Sequence, residues 1–196
     1  MIESLEILLQ KAEAAHGHMC PGQLLGTRMA LVGLGRLGID DPLGTDRKRL
    51  MVYVEIDRCA TDALSLVTGC RLGKRSLKFR DWGKMAATFV DIPSKTGVRV
   101  VALENSRDLA RELHPEIESK QRQQMLAYRE LSDDQLFKVQ RVRVNADAAE
   151  LPGYKNERTV CGRCGEGISF GRFEEINGEK LCLSCARPES CYWVAE

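Results

Sequence analysis

Two histidines and one cysteine fall within five positions of each other, at His16, His18 and Cys20. Imidazole and thiolate groups bind borderline-soft transition metals, and a thiolate can also act as a nucleophile. A helical pattern begins directly afterwards at Pro21 and Gly22, and the dipole at a helix N-terminus favours a thiolate over a thiol. The segment predicts a metal site or a reactive thiol, against the alternative of a loop with two solvated histidines and a buried cysteine.

A second cysteine has a comparable local setting. Residues 50–57 alternate apolar and polar side chains and predict the strongest strand of the chain. A short helical pattern ends at Gly69, so Cys59 lies where a strand passes into a helix and gains the same dipole. Cys70 lies at the far end of that helix. We therefore expect Cys59 to be a companion of the His/Cys segment.

The most specific motif consists of two C-x-x-C pairs separated by seventeen residues. This spacing is typical of a zinc site in which each pair contributes two thiolates to one tetrahedral ion. The sequence predicts a structural zinc ion bound by Cys161, Cys164, Cys182 and Cys185. Four thiolates leave no coordination position for catalysis, and so short a module depends on the metal for folding. Cys191 lies outside the four and receives no role.

The remaining pattern predicts the elements that position these groups. Helices are expected over 2–14 and 22–37, and a charged helical stretch over 104–136 is interrupted at His114-Pro115 and at Ser132. Strands are expected over 85–91, 98–103 and 137–144. In the cysteine module, Asn177-Gly178 predicts a hairpin between strands over 168–176 and 179–181. We expect a domain over 1–145, a linker over 146–158 and the module over 159–196.

Two segments have features of nucleotide-binding sites: one contains a glycine motif and the other is rich in basic residues. Residues 33–38 match G-x-G-x-x-G, but a helical pattern precedes them where a dinucleotide site needs a strand, so they predict a helix C-terminus. Residues 69–84 carry six basic side chains against one acidic side chain. They predict either a patch that holds an anionic ligand or a solvated strand face.

Composition restricts the possible environments and partners. The net charge is +1, so no global field attracts the chain to nucleic acid or to an anionic membrane. No apolar run approaches the roughly 18 residues of a membrane span, and the first residues lack a signal-peptide pattern. Cysteines arranged in C-x-x-C pairs favour metal chemistry in a reducing compartment, so we expect a cytoplasmic protein.

Three blocks together carry a family resemblance: HGHMCPGQLLGTRMA, YVEIDRCATDALSLVTGCRLGKRSLKFRDWGKMA and the four-cysteine ribbon. They resemble the FmdE-like family, which is named for formylmethanofuran dehydrogenase. The resemblance implies an α+β core domain with a mixed or antiparallel sheet and packed helices, usually dimeric, plus a zinc-ribbon or treble-clef module. By position, it implies metal or thiol ligands in a cleft, flanked by Asp57 and Asp62, at His16, His18, Cys20, Cys59 and Cys70.

Three functional hypotheses follow. The leading one is a metal-binding accessory protein of one-carbon or molybdenum/tungsten metabolism, a homodimer whose partner is an oxidoreductase. The alternative is an enzyme in its own right that acts on a small anionic substrate, either metal-dependent or with Cys20 or Cys59 as nucleophile and His18 as base. Recognition of nucleic acid through the ribbon is disfavoured, because its charges are mixed rather than basic.

Overall fold

The structure, a computed structural model, describes residues 2–156 and 158–194, and its contacts divide the chain into two compact units, 1–145 and 146–196. The first unit contains a five-stranded sheet in the order β2-β1-β3-β4-β5. Its strands are β1 Leu50–Val54, β2 Leu77–Phe79, β3 Ala86–Asp91, β4 Thr96–Ala102 and β5 Phe137–Arg143. Strands β1 and β2 pair in parallel and the other neighbours are antiparallel, so the sheet is mixed, as predicted.

Within the described ranges, six α-helices accompany this sheet: α1 Leu5–His16, α2 Pro21–Leu37, α3 Cys59–Thr68, α4 Ser106–Leu113, α5 Lys120–Glu130 and α6 Asp133–Leu136. Alternate strand residues such as Val52, Phe89 and Val100 join Leu24 and Met29 of α2 in one apolar core. The predicted interruption at Ser132 is confirmed, because its hydroxyl and Gln135 form a capping box at the start of α6. The α+β fold class predicted from the sequence is therefore confirmed.

Helix α2 is the central helix of this unit and contacts α1, α3, α5, β3 and β4. The approach to α3 depends on the absence of a side chain at Gly26. A Cβ added there would lie 2.4 Å from the carbonyl oxygen of Ala60 in α3. The helix ends where the sequence predicted, with Gly38 in the left-handed conformation donating to the carbonyls of Leu34 and Gly35. The G-x-G-x-x-G segment is thus a helix C-terminus.

Strand β2 is the element that the sequence did not specify. It is only three residues long and pairs with β1 from within the basic segment 69–84. Three residues give too little alternation to separate a strand from a loop. No helix in the described part of the chain combines the length and apolar character that crossing a membrane requires.

The second unit is built from two short antiparallel pairs. Strands β6 Thr159–Val160 and β7 Gly167–Ile168 form one, and β8 Phe173–Ile176 and β9 Glu179–Cys182 form the other, followed by α7 Leu183–Ala186. Asn177 and Gly178 both have positive φ, 54° and 84°, which confirms the predicted hairpin turn as type I′. The expected single strand over 168–176 is wrong, because Phe170 and Gly171 adopt positive φ and turn the chain.

Two glycines of α2 give a matched test of this packing. Gly26→Ala places a methyl group against the α3 backbone and should lower the free energy of unfolding by about 1–3 kcal/mol. Gly35→Ala meets nothing within 4 Å and should raise it by about 0.5–1 kcal/mol, because alanine loses less backbone entropy. Denaturant unfolding of both variants provides the measurement, and equal effects would contradict the packing described.

Candidate metal centres

Three separate helix ends bring the N-terminal candidate ligands together. His16 is the last residue of α1, and Cys20 is the N-cap of α2 with extended backbone angles, φ −144° and ψ 164°. Cys59 is the first residue of α3, directly after the strand-to-helix connection. Gly17, in the left-handed conformation at φ 91°, ends α1 and turns the chain toward Cys20.

The ligand atoms of His16, Cys20 and Cys59 all lie within 4.8 Å of one another. Tetrahedral zinc bond lengths require ligand atoms about 3.5–3.8 Å apart, so side-chain adjustments of about 1 Å complete such a site. Cys20 is buried and the other two residues are half-buried, which shields a bound ion from bulk water on one side. We call these three residues the His/Cys cluster.

Asp62 orients the histidine of the cluster. Its carboxylate oxygen Oδ2 lies 3.0 Å from Nδ1 of His16, at a position one helical turn after Cys59. A metal-binding histidine commonly donates one ring N–H to a carboxylate, which fixes the ring and its tautomer. The Asp62 contact therefore leaves Nε2 of His16 as the nitrogen available to a metal ion.

His18 lies beside the cluster but is not one of its three members. Its ring centroid is 4.8 Å from that of His16, with the ring planes tilted by 42°. Two thiolates and one imidazole leave the fourth position of a tetrahedral ion open, which is the arrangement of catalytic rather than structural zinc sites. His18 is thus a neighbour of the His16 ring, outside the group of three whose ligand atoms converge.

The structure does not bring Cys70 to this cluster, contrary to the ligand set implied by the family resemblance. Helix α3 separates it from Cys59 by roughly 15 Å, at about 1.5 Å per residue. Its side chain is 2% exposed, and its Sγ donates to the carbonyl oxygen of Leu50 at 3.7 Å. Burial raises the pKa of the Cys70 thiol, as expected for a core residue.

The ionisation of Cys59 also differs from the sequence-based expectation. Partial burial raises its pKa, and a hydrogen bond with the neighbouring Cys20 side chain raises it further. The pKa of Cys59 is thus shifted in the direction opposite to the one expected from a helix N-terminus. A bound metal ion would lower the pKa of Cys59, because its positive charge stabilises the thiolate form.

Gln23 is a site residue that sequence reasoning missed. This fully buried side chain of α2 donates its amide Nε2–H to the carbonyl oxygen of Cys59 at 2.6 Å. The hydrogen bond fixes the start of α3 against the start of α2, and so fixes Cys59 relative to Cys20. A single polar residue in the first turn of a helix gives no sequence signal for this role.

The second unit contains a group of four cysteines, Cys161, Cys164, Cys182 and Cys185, whose sulfur atoms all lie within 4.8 Å of one another. Cys164 Sγ and Cys182 Sγ are 3.8 Å apart, the separation of about 3.8 Å that two thiolates have on tetrahedral zinc. The first pair is held by a tight turn in which the Gly165 N–H donates to the Cys161 carbonyl.

Backbone N–H groups lower the pKa of one of these four thiols. Donation from the backbone of Cys164 and of Cys182 lowers the pKa of Cys161 to about 6. The pKa of Cys185 is instead raised to about 12, chiefly by its hydrogen bond with the Cys182 side chain. A bound divalent cation would offset the repulsion between four closely spaced thiolates. The group therefore fits a structural zinc ion, as predicted.

Comparisons with known proteins agree with this arrangement. The model of the FmdE family, described as "Molybdenum formylmethanofuran dehydrogenase operon", matches residues 15–145, which include the whole His/Cys cluster. The chain belongs to the FmdE family. The model of the prokaryotic dksA/traR C4-type zinc finger matches residues 154–190, which include the four cysteines. The second unit of this FmdE protein is thus a zinc finger, and the match begins within the expected linker.

Two individual proteins extend the comparison. A probable S-adenosyl-L-methionine-binding protein of Archaeoglobus fulgidus is 32% identical over 198 residues, covering 91% of this chain and 52% of that protein. The chain therefore spans about half the length of this curated relative. The crystal structure of a tungsten formylmethanofuran dehydrogenase FmdE-like protein from Syntrophus aciditrophicus matches with a TM-score of 0.65. It is 23% identical, with coverage of 96% and 95% of the two chains, and shares the fold.

Asp62→Ala should weaken metal binding at the His/Cys cluster about 10- to 100-fold, because His16 loses the carboxylate that orients it. Competition of Zn²⁺ against a chromophoric chelator, with the four-cysteine site already filled, measures this affinity. Asp57→Ala removes an exposed carboxylate two residues before Cys59 in the sequence and serves as the control. Equal affinities of the two variants would show that Asp62 does not orient a metal ligand.

Cys164→Ser should abolish stable zinc binding in the second unit and release amide protection over residues 159–187, because the small core of that unit cannot fold alone. Hydrogen exchange followed by mass spectrometry measures this locally, and protection in residues 1–145 should persist. Cys191→Ser, which changes a cysteine outside both groups, should leave exchange unaltered. Retained protection in Cys164→Ser would contradict a metal-dependent fold.

Proposed function

We propose that the His/Cys cluster binds a transition-metal ion, and that this FmdE protein is a metal-binding accessory protein for a molybdenum- or tungsten-containing oxidoreductase of one-carbon metabolism. The observation that carries the proposal is the convergence of His16, Cys20 and Cys59 from three different helix ends. The Asp62 carboxylate, 3.0 Å from His16 Nδ1, also supports the proposal, because a metal-binding histidine commonly has such a partner.

The ligand set limits the metal ion. Two thiolates and one imidazole favour borderline or soft ions such as Zn²⁺ over Mg²⁺ or Ca²⁺, which prefer oxygen ligands. Because three protein ligands leave a position open, the ion could bind water, a small ligand or a donor atom from a partner protein. When bound, it would supply Lewis-acid chemistry to whatever occupies that position.

The accessory role follows from the family and from the chemistry that the described residues offer. The family model is named for the formylmethanofuran dehydrogenase operon. In the described ranges 2–156 and 158–194, two groups of His, Cys, Asp or Glu side chains are close enough to hold a metal ion. One of them is the closed zinc finger, so the His/Cys cluster is the group that supports exchange or delivery of a metal.

The alternative enzyme hypothesis, with Cys20 or Cys59 as nucleophile and His18 as base, finds less support. A cysteine nucleophile needs a lowered pKa, whereas Cys59 has a raised pKa next to Cys20. The same pair of sulfurs that disfavours a free thiolate is well suited to sharing one cation. We therefore place the metal-binding function first.

Metal stoichiometry tests this proposal directly. The purified protein should contain about two metal ions per chain, and Cys20→Ser should contain about one, held by the zinc finger. Cys191→Ser should retain about two, since Cys191 lies outside both groups. Elemental analysis gives the counts, and circular dichroism verifies that each variant is folded. A folded Cys20→Ser protein with unchanged metal content would refute the proposed site.

A further inference from the structure

Cys20 and Cys59 form a pair of thiols that the metal-binding proposal uses only as ligands. Their Sγ atoms lie within 4.8 Å of each other, and a hydrogen bond joins the two side chains. Both side chains converge on Gly22, where an added Cβ would lie 3.0 Å from Cβ of Cys59 and 3.7 Å from Sγ of Cys20. A disulfide needs the two sulfurs about 2.05 Å apart, which requires one or both side chains to turn about the Cα–Cβ bond.

The fold holds these two cysteines close to each other before any reaction takes place. The buried Gln23 of α2 donates to the carbonyl oxygen of Cys59 at 2.6 Å, and Gly26 permits the close approach of α2 and α3. Closing a disulfide between them therefore orders little additional chain. Such proximity favours an internal disulfide over two separate mixed disulfides with a small thiol.

The other cysteines of the chain have different surroundings. Cys70 is buried at the far end of α3, where its Sγ donates to the carbonyl oxygen of Leu50. Cys191 lies outside both groups of candidate metal ligands in the described part of the chain. The zinc-finger cysteines are protected from oxidation when they coordinate a metal ion. An internal disulfide is therefore expected at the pair in the His/Cys cluster.

We propose that Cys20 and Cys59 form a reversible disulfide by exchange with a low-molecular-weight disulfide such as glutathione disulfide, and that this bond prevents metal binding at the His/Cys cluster. A disulfide sulfur is no longer a thiolate, so the oxidised protein keeps only His16 of the three ligands. Formation of the disulfide does not depend on a metal ion. Its effect on metal content rests on the proposed metal-binding function.

The oxidation consists of two exchange steps. Cys59, the more exposed of the two cysteines, attacks the small disulfide as a thiolate, which forms a mixed disulfide and releases one small thiol that takes up the proton. Cys20 then loses its proton, attacks Sγ of Cys59 and displaces the second small thiol. Two protein thiols and one small disulfide thus give one protein disulfide and two small thiols. The raised pKa of Cys59 slows the first attack, so the test measures equilibrium rather than rate.

Equilibration of the whole chain with mixtures of reduced and oxidised glutathione tests the disulfide itself, with the zinc finger loaded and the His/Cys cluster emptied by a mild chelator. The intact mass should fall by two hydrogen atoms, and trypsin should release residues 12–28 linked to residues 59–71. Because residues 59–71 contain both Cys59 and Cys70, fragmentation of the linked peptide identifies the partner. A link through Cys70, or glutathione adducts without an internal link, would overturn the proposal.

Matched variants assign the linked sulfurs. Cys20→Ser should lose the internal link and accumulate a glutathione adduct at Cys59, because no second thiol displaces the glutathione. Cys191→Ser should form the internal link as the unmodified protein does. A link that persists in Cys20→Ser, or disappears in Cys191→Ser, would overturn the assignment.

Metal binding and disulfide formation should exclude each other. Oxidation should release the ion of the His/Cys cluster but not that of the zinc finger, and reduction followed by added zinc should restore it. Free Zn²⁺ buffered at about 100 times its Kd for the cluster should raise the [GSSG]/[GSH]² ratio for half-oxidation about 100-fold. A ratio that does not change with zinc would overturn the exclusion.

The same measurements separate this proposal from the metal-binding function. A reduced cluster that binds zinc but never forms the disulfide would overturn the redox proposal and leave the metal site supported. A disulfide that forms in a protein whose reduced cluster binds no metal would support the cysteine pair and refute the metal site.

Discussion

The close contact between α2 and α3 is the constraint on which the functional part of this protein depends. Gly26 allows the two helix backbones to approach so closely that even a methyl group would meet the Ala60 carbonyl. The Gln23 amide then joins the two helix starts through the carbonyl of Cys59. Cys20 and Cys59 stand at those starts, so the packing of two helices determines the separation of two sulfur atoms that are 39 positions apart in sequence.

The zinc finger and the His/Cys cluster illustrate different relations between candidate metal ligands and a fold. In the zinc finger, the buried cluster consists of Cys161, Ile168 and Leu181, so the ion compensates for the apolar core that so short a unit lacks. In the first unit, a large apolar core forms without any side chain of the His/Cys cluster. A metal site on a fold that is stable without the metal does not need to be fully coordinated by the protein. An open coordination position is what metal exchange or catalysis requires.

Much of this could be predicted from the sequence, for identifiable physical reasons. The C-x-x-C pairs specify a zinc site because their spacing alone brings each pair of sulfurs together. Asn177-Gly178 specifies a type I′ turn because both residues tolerate positive φ. Apolar periodicity predicts α2 and the strands over 85–91 and 98–103, since burial on one face imposes a repeat. The sequence likewise marks His16–Cys20 as chemically significant, because two imidazoles and a thiol that can bind a metal ion fall within five positions.

The tertiary structure alone decided which of these groups meet. Cys59 and Cys70 flank the same helix and both belong to the ligand set implied by the family resemblance, yet a ten-residue helix places one beside His16 and the other in the core. The role of Gln23 and the direction of the Cys59 pKa shift are likewise consequences of burial beside a neighbouring helix. Contacts between distant segments follow from helix packing, and neither the spacing of residues nor their local periodicity encodes that geometry.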